Sequence, residues 1–260
     1  MIINVHGGHS LVCRGASALL DEVVEDRNVK NRVIQLLRQQ GHTVYDCTDD
    51  VGTTQKENLS NIVRKCNSHS VDLDVSIHLN SGRSDLKGDG KTGGVEVYGY
   101  DNGVKEVANR ICSKISQSLG ITNRGFKISK SLYVLSNTKA KAILVECCFV
   151  DDKDDADRWN AVRCAEAIYT ALTGKEINKI APEQPRFTSV EKKEESIKQC
   201  PYLVRVSIDD LCIRTGPGVT YTWTGRYTGK GVFTIVEVAG NWGRLKSGAG
   251  WISLAYCTEV

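Results

Sequence analysis

Four residues in this chain are of the types that build a hydrolytic metal centre: His9, Glu22, His78 and Glu146. Two imidazoles and one carboxylate form the ligand set of a catalytic zinc site, which keeps one coordination position open. His78 alone does not make that case, because a histidine ending a strand also reads as a core residue satisfied by a backbone carbonyl. Its partners decide the matter. His9 follows two glycines in the loop His6-Gly7-Gly8-His9-Ser10, where His6 reads either as a second candidate or as a solvated loop residue. Glu22, Glu25 and Asp26 open a helix on its apolar face. Acidic residues at a helix start complement the macrodipole, yet on an inward face they need a partner, and a cation supplies one. Glu146 interrupts the apolar run Ala142–Phe149. A carboxylate buried there is costly unless paired, and a carboxyl of raised pKa beside a metal is what a general base requires. A salt bridge to Arg124 or Lys127 is its plainer alternative.

These residues need a frame that brings them to one place. A first strand is expected over residues 1–5. A helix over 21–40 follows from Val29, Val33, Leu36 and Leu37 at helical spacing, ending at Gly41. His42–Asp46 reads as a second strand and Leu59, Ile62, Val63 and Cys66 as a second helix. Leu73–Asn80 is a buried strand delivering His78 and Asn80, with the branched Val75 and Ile77 suited to a sheet interior. After a polar loop, Val95 and Val97 mark a strand, and Val104 to Leu119 repeats at helical spacing. Leu132–Leu135 reads as a short strand, and one last helix runs from Asp151 through Trp159, Val162, Ile168 and Leu172. Alternating strands and helices predict an α/β domain with a mostly parallel sheet, whose carboxyl edge carries the ligand site.

The chain of 260 residues exceeds one typical domain, and composition changes along it. Residues 1–174 form the predicted α/β domain. Residues 175–199, rich in lysine, glutamate and serine and holding Pro182 and Pro185, read as a linker. Residues 200–260 show short strand runs at Leu203–Val206, Val232–Val238, Trp242–Leu245 and Trp251–Ile252, the pattern of a small β-barrel. The net charge of +3 gives no case for nucleic acid, and no segment is long and apolar enough to span a membrane. The ten cysteines are scattered without a CxxC pair, and Cys66 and Cys112 lie on helical apolar stripes as small hydrophobes. With no secretory signal visible, a reduced, cytoplasmically made monomer is expected.

The motifs Gly8-His9, Asp21-Glu22, Ser76-Ile77-His78-Leu79-Asn80, Asn123-Arg124-Gly125 and Leu144-Val145-Glu146 with Phe149 resemble those of the zinc-dependent N-acetylmuramoyl-L-alanine amidases. The resemblance covers about residues 1–173. It implies that His9, Glu22 and His78 hold Zn2+ and that Glu146 is the general base. The bond cut would be the amide between N-acetylmuramic acid and L-alanine of bacterial peptidoglycan. Spacing to the helix-ending glycine favours Glu22 over Glu25, a choice left open. Asp26 stands where the family often has asparagine, and Lys141 where proline commonly precedes the last strand. Asn80 and Arg124 are assigned orienting roles toward a ligand or substrate.

Residues 200–260 resemble a bacterial SH3-like wall-binding module through Leu211-Cys212-Ile213-Arg214-Thr215-Gly216-Pro217-Gly218, Trp242 and Gly250-Trp251-Ile252. Tyr202, Tyr221, Trp223 and Tyr227 are either groove aromatics or barrel core. The architecture suits a phage endolysin that acts on the wall after release. The alternatives are a bacterial autolysin of mother-cell lysis and a non-catalytic wall-binding protein. A cysteine peptidase is disfavoured, since Asp46-Cys47 is its only faint nucleophile candidate.

Overall fold

The computed structural model describes residues 1–176, 200–208, 211–218, 221 and 223–260. They fall into two compact units, one on each side of residues 177–199. The expected linker therefore lies almost wholly outside the described residues.

The first unit runs β1 (Ile2–Gly7), α1 (Glu22–Gln39), β2 (Thr43–Asp46), α2 (Gln55–Cys66), β3 (Leu73–Asn80), β4 (Val95–Gly99), α3 (Lys105–Leu119), β5 (Asn123–Ile128), α4 (Tyr133–Asn137), β6 (Ala142–Phe149), α5 (Lys153–Arg158) and α6 (Ala161–Thr173). The six strands form one sheet in the order β2-β1-β3-β6-β4-β5. All neighbours are parallel except β4 and β6. The reversal follows from the connection between β3 and β4, a loop without the crossover helix that a parallel return needs.

Alternation along the strands sorts the two faces. Val5, Val75, Ile77, Val97, Ile143 and Val145 pack with Val33, Ile111, Ile115 and Ile168 from α1, α3 and α6. Leu144 and Ala142 on the opposite face meet Ile62, Val63 and Cys66 of α2 and Val134 and Leu135 of α4. Each fully buried Ile or Leu contributes roughly 1.5–3 kcal/mol relative to exposure, so both helix layers are held chiefly by these side chains. Asp21 caps α1 by accepting from the Val24 amide at 3.1 Å, which makes Glu22 the first helical residue.

Two expectations are corrected. Leu132–Leu135 is not a strand: Tyr133–Asn137 forms the short helix α4, whose Val134 and Leu135 reach the α2 layer. A four-residue apolar run does not distinguish the two forms, and packing decides. The last helix is broken at Trp159–Asn160, where the Asn160 side chain accepts from the Arg163 amide at 2.9 Å and starts α6 afresh.

The second unit contains β7 (Tyr202–Val206), β8 (Cys212–Arg214), β9 (Trp223–Tyr227), β10 (Gly231–Ala239), β11 (Trp242–Leu245), β12 (Trp251–Ser253) and β13 (Cys257–Glu259). These make one antiparallel sheet in the order β13-β7-β10-β11-β12-β8-β9. Its core is Val204, Val206, Leu211, Ile213, Ile235, Leu245 and Ile252. The four expected strands are present; β8, β9 and β13 are short or polar and carried no clear alternation. Among the described residues no helix is long and apolar enough to cross a membrane.

Candidate active site

Register places the chemistry in one row at the end of the first sheet. His78 of β3 stands beside Glu146 of β6, and Glu146 beside Glu96 of β4. On the other side of β3, β1 ends at Gly7 and the chain turns through Gly8 to His9, whose φ of 52° is left-handed. That conformation costs a non-glycine residue about 1–3 kcal/mol and persists only where the surroundings enforce it. Here they do. The fully buried Arg27 donates to the Gly8 carbonyl at 2.6 Å and to the His9 carbonyl at 3.0 Å, and the Asn58 amide donates to His9 at 2.9 Å. Asp26 and Asp50 pair with Arg27 at 2.6 and 2.7 Å.

Glu22 bridges the two histidines. Its Oε1 lies 3.0 Å from His78 Nδ1 and accepts from the Leu79 amide at 3.2 Å. Its Oε2 lies 3.3 Å from His9 Nε2 and accepts from the Ala16 amide at 2.9 Å. Only 3% of Glu22 is exposed. Burial pushes its pKa upward, but the hydrogen bonds and charges of His78 and His9 outweigh that and hold the carboxyl well below the usual range. Glycines make the room: a Cβ on Gly8 would sit 2.0 Å from His78 Cε1, and one on Gly15 would sit 2.1 Å from Glu22 Oε2.

His9, Glu22 and His78 form a group that could hold a metal ion. Each offers one ligand atom, all within 4.8 Å of one another. Two imidazole nitrogens and one carboxylate oxygen are a donor set that suits zinc. Glu25 is placed elsewhere, with Oε2 accepting from Trp159 Nε1 at 2.8 Å. His6 is also no member. It is buried within β1, with Nδ1 3.3 Å from the Gly7 carbonyl, and burial first and the neighbouring His78 second bring its pKa down to about 3. Its reading as a solvated loop residue is therefore corrected.

Glu146 Oε2 is buried without a hydrogen-bond partner. Burial, then the negative charges of Glu22 and Glu96, push the Glu146 pKa up to about 8. The salt bridge considered from the sequence does not form. Arg124 and Lys127 pair instead with Glu96, a residue the sequence reading passed over between Val95 and Val97. Glu96 Oε1 accepts from Asn80 Nδ2 at 2.9 Å and from the Tyr98 hydroxyl at 2.7 Å; Oε2 accepts from Arg124 Nε at 2.5 Å and from Lys127 Nζ. Asn80 thus serves Glu96 and the Ser81 amide and touches none of the three candidate ligands. Glu146 was singled out by interrupting a continuous apolar run, a pattern that the alternating Val95-Glu96-Val97-Tyr98 does not share.

Cys47, the faint nucleophile candidate, is wholly buried with its sulfur 3.9 Å from His69 Nδ1, away from this row. In the second unit the four aromatics part ways. Trp223 is 4% exposed, donates Nε1–H to the Arg226 carbonyl at 2.9 Å and is core, so its reading as a groove ring is corrected. Tyr227 packs on it with ring centroids 5.2 Å apart, and Tyr202 is half-buried against the core. Tyr221 is 47% exposed.

Comparison with known proteins places this geometry. The chain is 31% identical over 249 residues to an uncharacterized protein of Clostridium perfringens, covering 93% of this chain and 71% of that one. A second, 38.4 kDa Clostridium perfringens protein is 35% identical over 161 residues, and the match spans only 45% of it. The catalytic domain of the CD27L endolysin targeting Clostridia Difficile superposes with a TM-score of 0.60 at 31% identity, over 68% of this chain and 99% of that one. The N-acetylmuramoyl-L-alanine amidase AmiC2 of Nostoc punctiforme does so at 0.56 and 26%, over 66% and 94%. The family model for N-acetylmuramoyl-L-alanine amidase matches residues 1–174, and this chain belongs to that family.

Proposed function

We propose that the first unit is a zinc-dependent amidase cutting the bond between N-acetylmuramic acid and L-alanine of peptidoglycan, with His9, Glu22 and His78 as ligands and Glu146 as general base. The observation that carries this reading is Glu146 Oε2, an unpartnered buried carboxylate oxygen beside a His/Glu/His donor set. Zn2+ held there would acidify a water, polarise the scissile carbonyl and, by its charge, lower the pKa of Glu146 from its alkaline value. Glu146 takes the proton from the attacking water and delivers it to the leaving nitrogen. The Leu79 and Ala16 amides keep both Glu22 oxygens aimed between the histidines. Arg27 and Asn58 hold the strained His9 loop in place.

The second unit acts in this reading as an SH3-like wall-binding module joined by the 175–199 linker, with Tyr221 as its exposed ring. The whole chain works as a monomeric endolysin on the bacterial wall, with neither nucleic acid nor membrane as partner. Support for the endolysin role is the likeness to the CD27L catalytic domain. Digestion of purified peptidoglycan tests the reaction. New N-terminal alanine should appear, vanish on chelation and return with Zn2+. Persistence of cleavage in the chelated, metal-free protein would refute the metal assignment.

A further inference from the structure

Glu96 accepts four hydrogen bonds, two of them from cations on the same oxygen. One cation would balance one carboxylate. The cluster of Glu96, Arg124 and Lys127 instead carries a surplus positive charge, next to Glu146 in the same row. Neither cation is spent. The Arg124 and Lys127 side chains are 33% and 38% exposed. Beyond Glu96, the Arg124 guanidinium makes only a 3.4 Å contact to the Gly93 carbonyl through Nη1, and its Nη2 has no acceptor among the described residues. The guanidinium lies over the Phe149 ring at 5.1 Å and the Lys127 ammonium 5.8 Å from the Tyr98 ring centroid. Ring packing of this kind holds a cation in place before any ligand arrives.

Resting on the amidase reading, we infer that Arg124 and Lys127 form an anion subsite that reads a free carboxylate on the stem-peptide residue following the alanine. Distance supports the assignment. The backbone of β5, which carries both cations, is two strands from that of β6, about 10 Å at the usual strand spacing, and both side chains reach back to Glu96 on the strand between, the register partner of Glu146. A substrate with its scissile carbonyl at Glu146 places the α-carbon of the second peptide residue one peptide unit beyond that of the alanine, about 6 Å away in all. Its carboxylate then reaches the cations. The sugar side offers no competing anion, because the carboxyl of muramic acid is itself part of the scissile amide.

The test uses the full-length zinc-loaded chain and two synthetic muramoyl dipeptides, identical except that the second residue bears a free carboxylate or a carboxamide. The readout is kcat/KM for release of the alanine-terminated dipeptide. One charge-assisted hydrogen bond is worth about 1.5 kcal/mol, so the free acid should be favoured about 10-fold. The preference should shrink with added salt. Arg124→Gln and Lys127→Gln should each bring the ratio to within about 2-fold, and Arg124→Lys should retain part of it. A purely structural role for the cations would lower both rates together and leave the ratio alone, which overturns the subsite. Equal cleavage of both substrates by the wild-type chain also overturns it while leaving the amidase reading intact. Cleavage of neither would refute that reading and the subsite with it.

Discussion

Gly8→Ala probes how tightly the candidate centre is built. The added Cβ would lie 2.0 Å from His78 Cε1 and 2.4 and 2.5 Å from the two ring nitrogens. Ordinary carbon contacts are about 3.5–4.0 Å, so something must yield by about 1.5 Å. The loop is the stiffer side. The Gly8 amide donates to the Ile77 carbonyl at 2.9 Å, and the Gly8 and His9 carbonyls are held by Arg27. The His78 ring therefore moves, and its 3.0 Å contact with Glu22 is lost. A misplacement of about 1 Å at a reacting centre costs about 100-fold in rate, whereas one overpacked methyl costs about 1–3 kcal/mol of stability. The expected result is a folded protein by circular dichroism, at least 100-fold lower kcat/KM on a soluble muramoyl peptide, and weaker zinc binding in chelator competition. A Gly8→Ala protein within 3-fold of wild type in both activity and zinc affinity would refute the reasoning.

Arg27→Met removes the partner of the buried Asp26 and the donor to two loop carbonyls; urea denaturation should show a loss of about 3–5 kcal/mol, and a loss below 1 kcal/mol would contradict the buried network. For Glu96, burial pushes the carboxyl upward, but the hydrogen bonds from Arg124, Lys127 and Tyr98 prevail and bring its pKa down to about 2 from 4.5. A carboxylate depressed on folding stabilises above its unfolded pKa of about 4.3 and loses that contribution as pH falls through its folded value. Glu96→Gln should therefore flatten the fall in unfolding free energy between about pH 4.5 and 2, and parallel wild-type and mutant profiles would argue against this. Trp223→Ala should destabilise the second unit by about 3–5 kcal/mol, while Tyr221→Ala should leave its melting unchanged and weaken sedimentation with purified walls. The opposite pattern would reverse the roles of the two rings.

The candidate His9, Glu22 and His78 set was legible because its residue types are rare in the places they occupy. A histidine after two glycines, a glutamate on a helix's inward face and a histidine ending a buried strand each ask for a partner of the others' kind. The choice between Glu22 and Glu25 was not legible, since both lie in the same helical turn; it depends on Asp21 being the cap and on Trp159 reaching Glu25. Glu96 escaped because Val95-Glu96-Val97-Tyr98 alternates like a strand with one wet face. Only the antiparallel register with β6 turns that face toward Glu146. Arg27 reads in sequence as one more helical charge, and its burial is a consequence of the His9 loop folding over it. The β-rich second unit yielded its four longer or more apolar strands. β9, with a glycine at φ 79° and two polar residues, has no pattern to detect.

In the proposed reaction Glu146 moves the proton in a zinc-dependent hydrolysis. Wild-type and Glu146→Gln proteins should be compared on purified peptidoglycan, with bound zinc measured on the same samples. Equal zinc content is expected, with release of new N-terminal alanine falling by at least 100-fold in the variant. A zinc-loaded Glu146→Gln protein that released alanine as fast as wild type would contradict it.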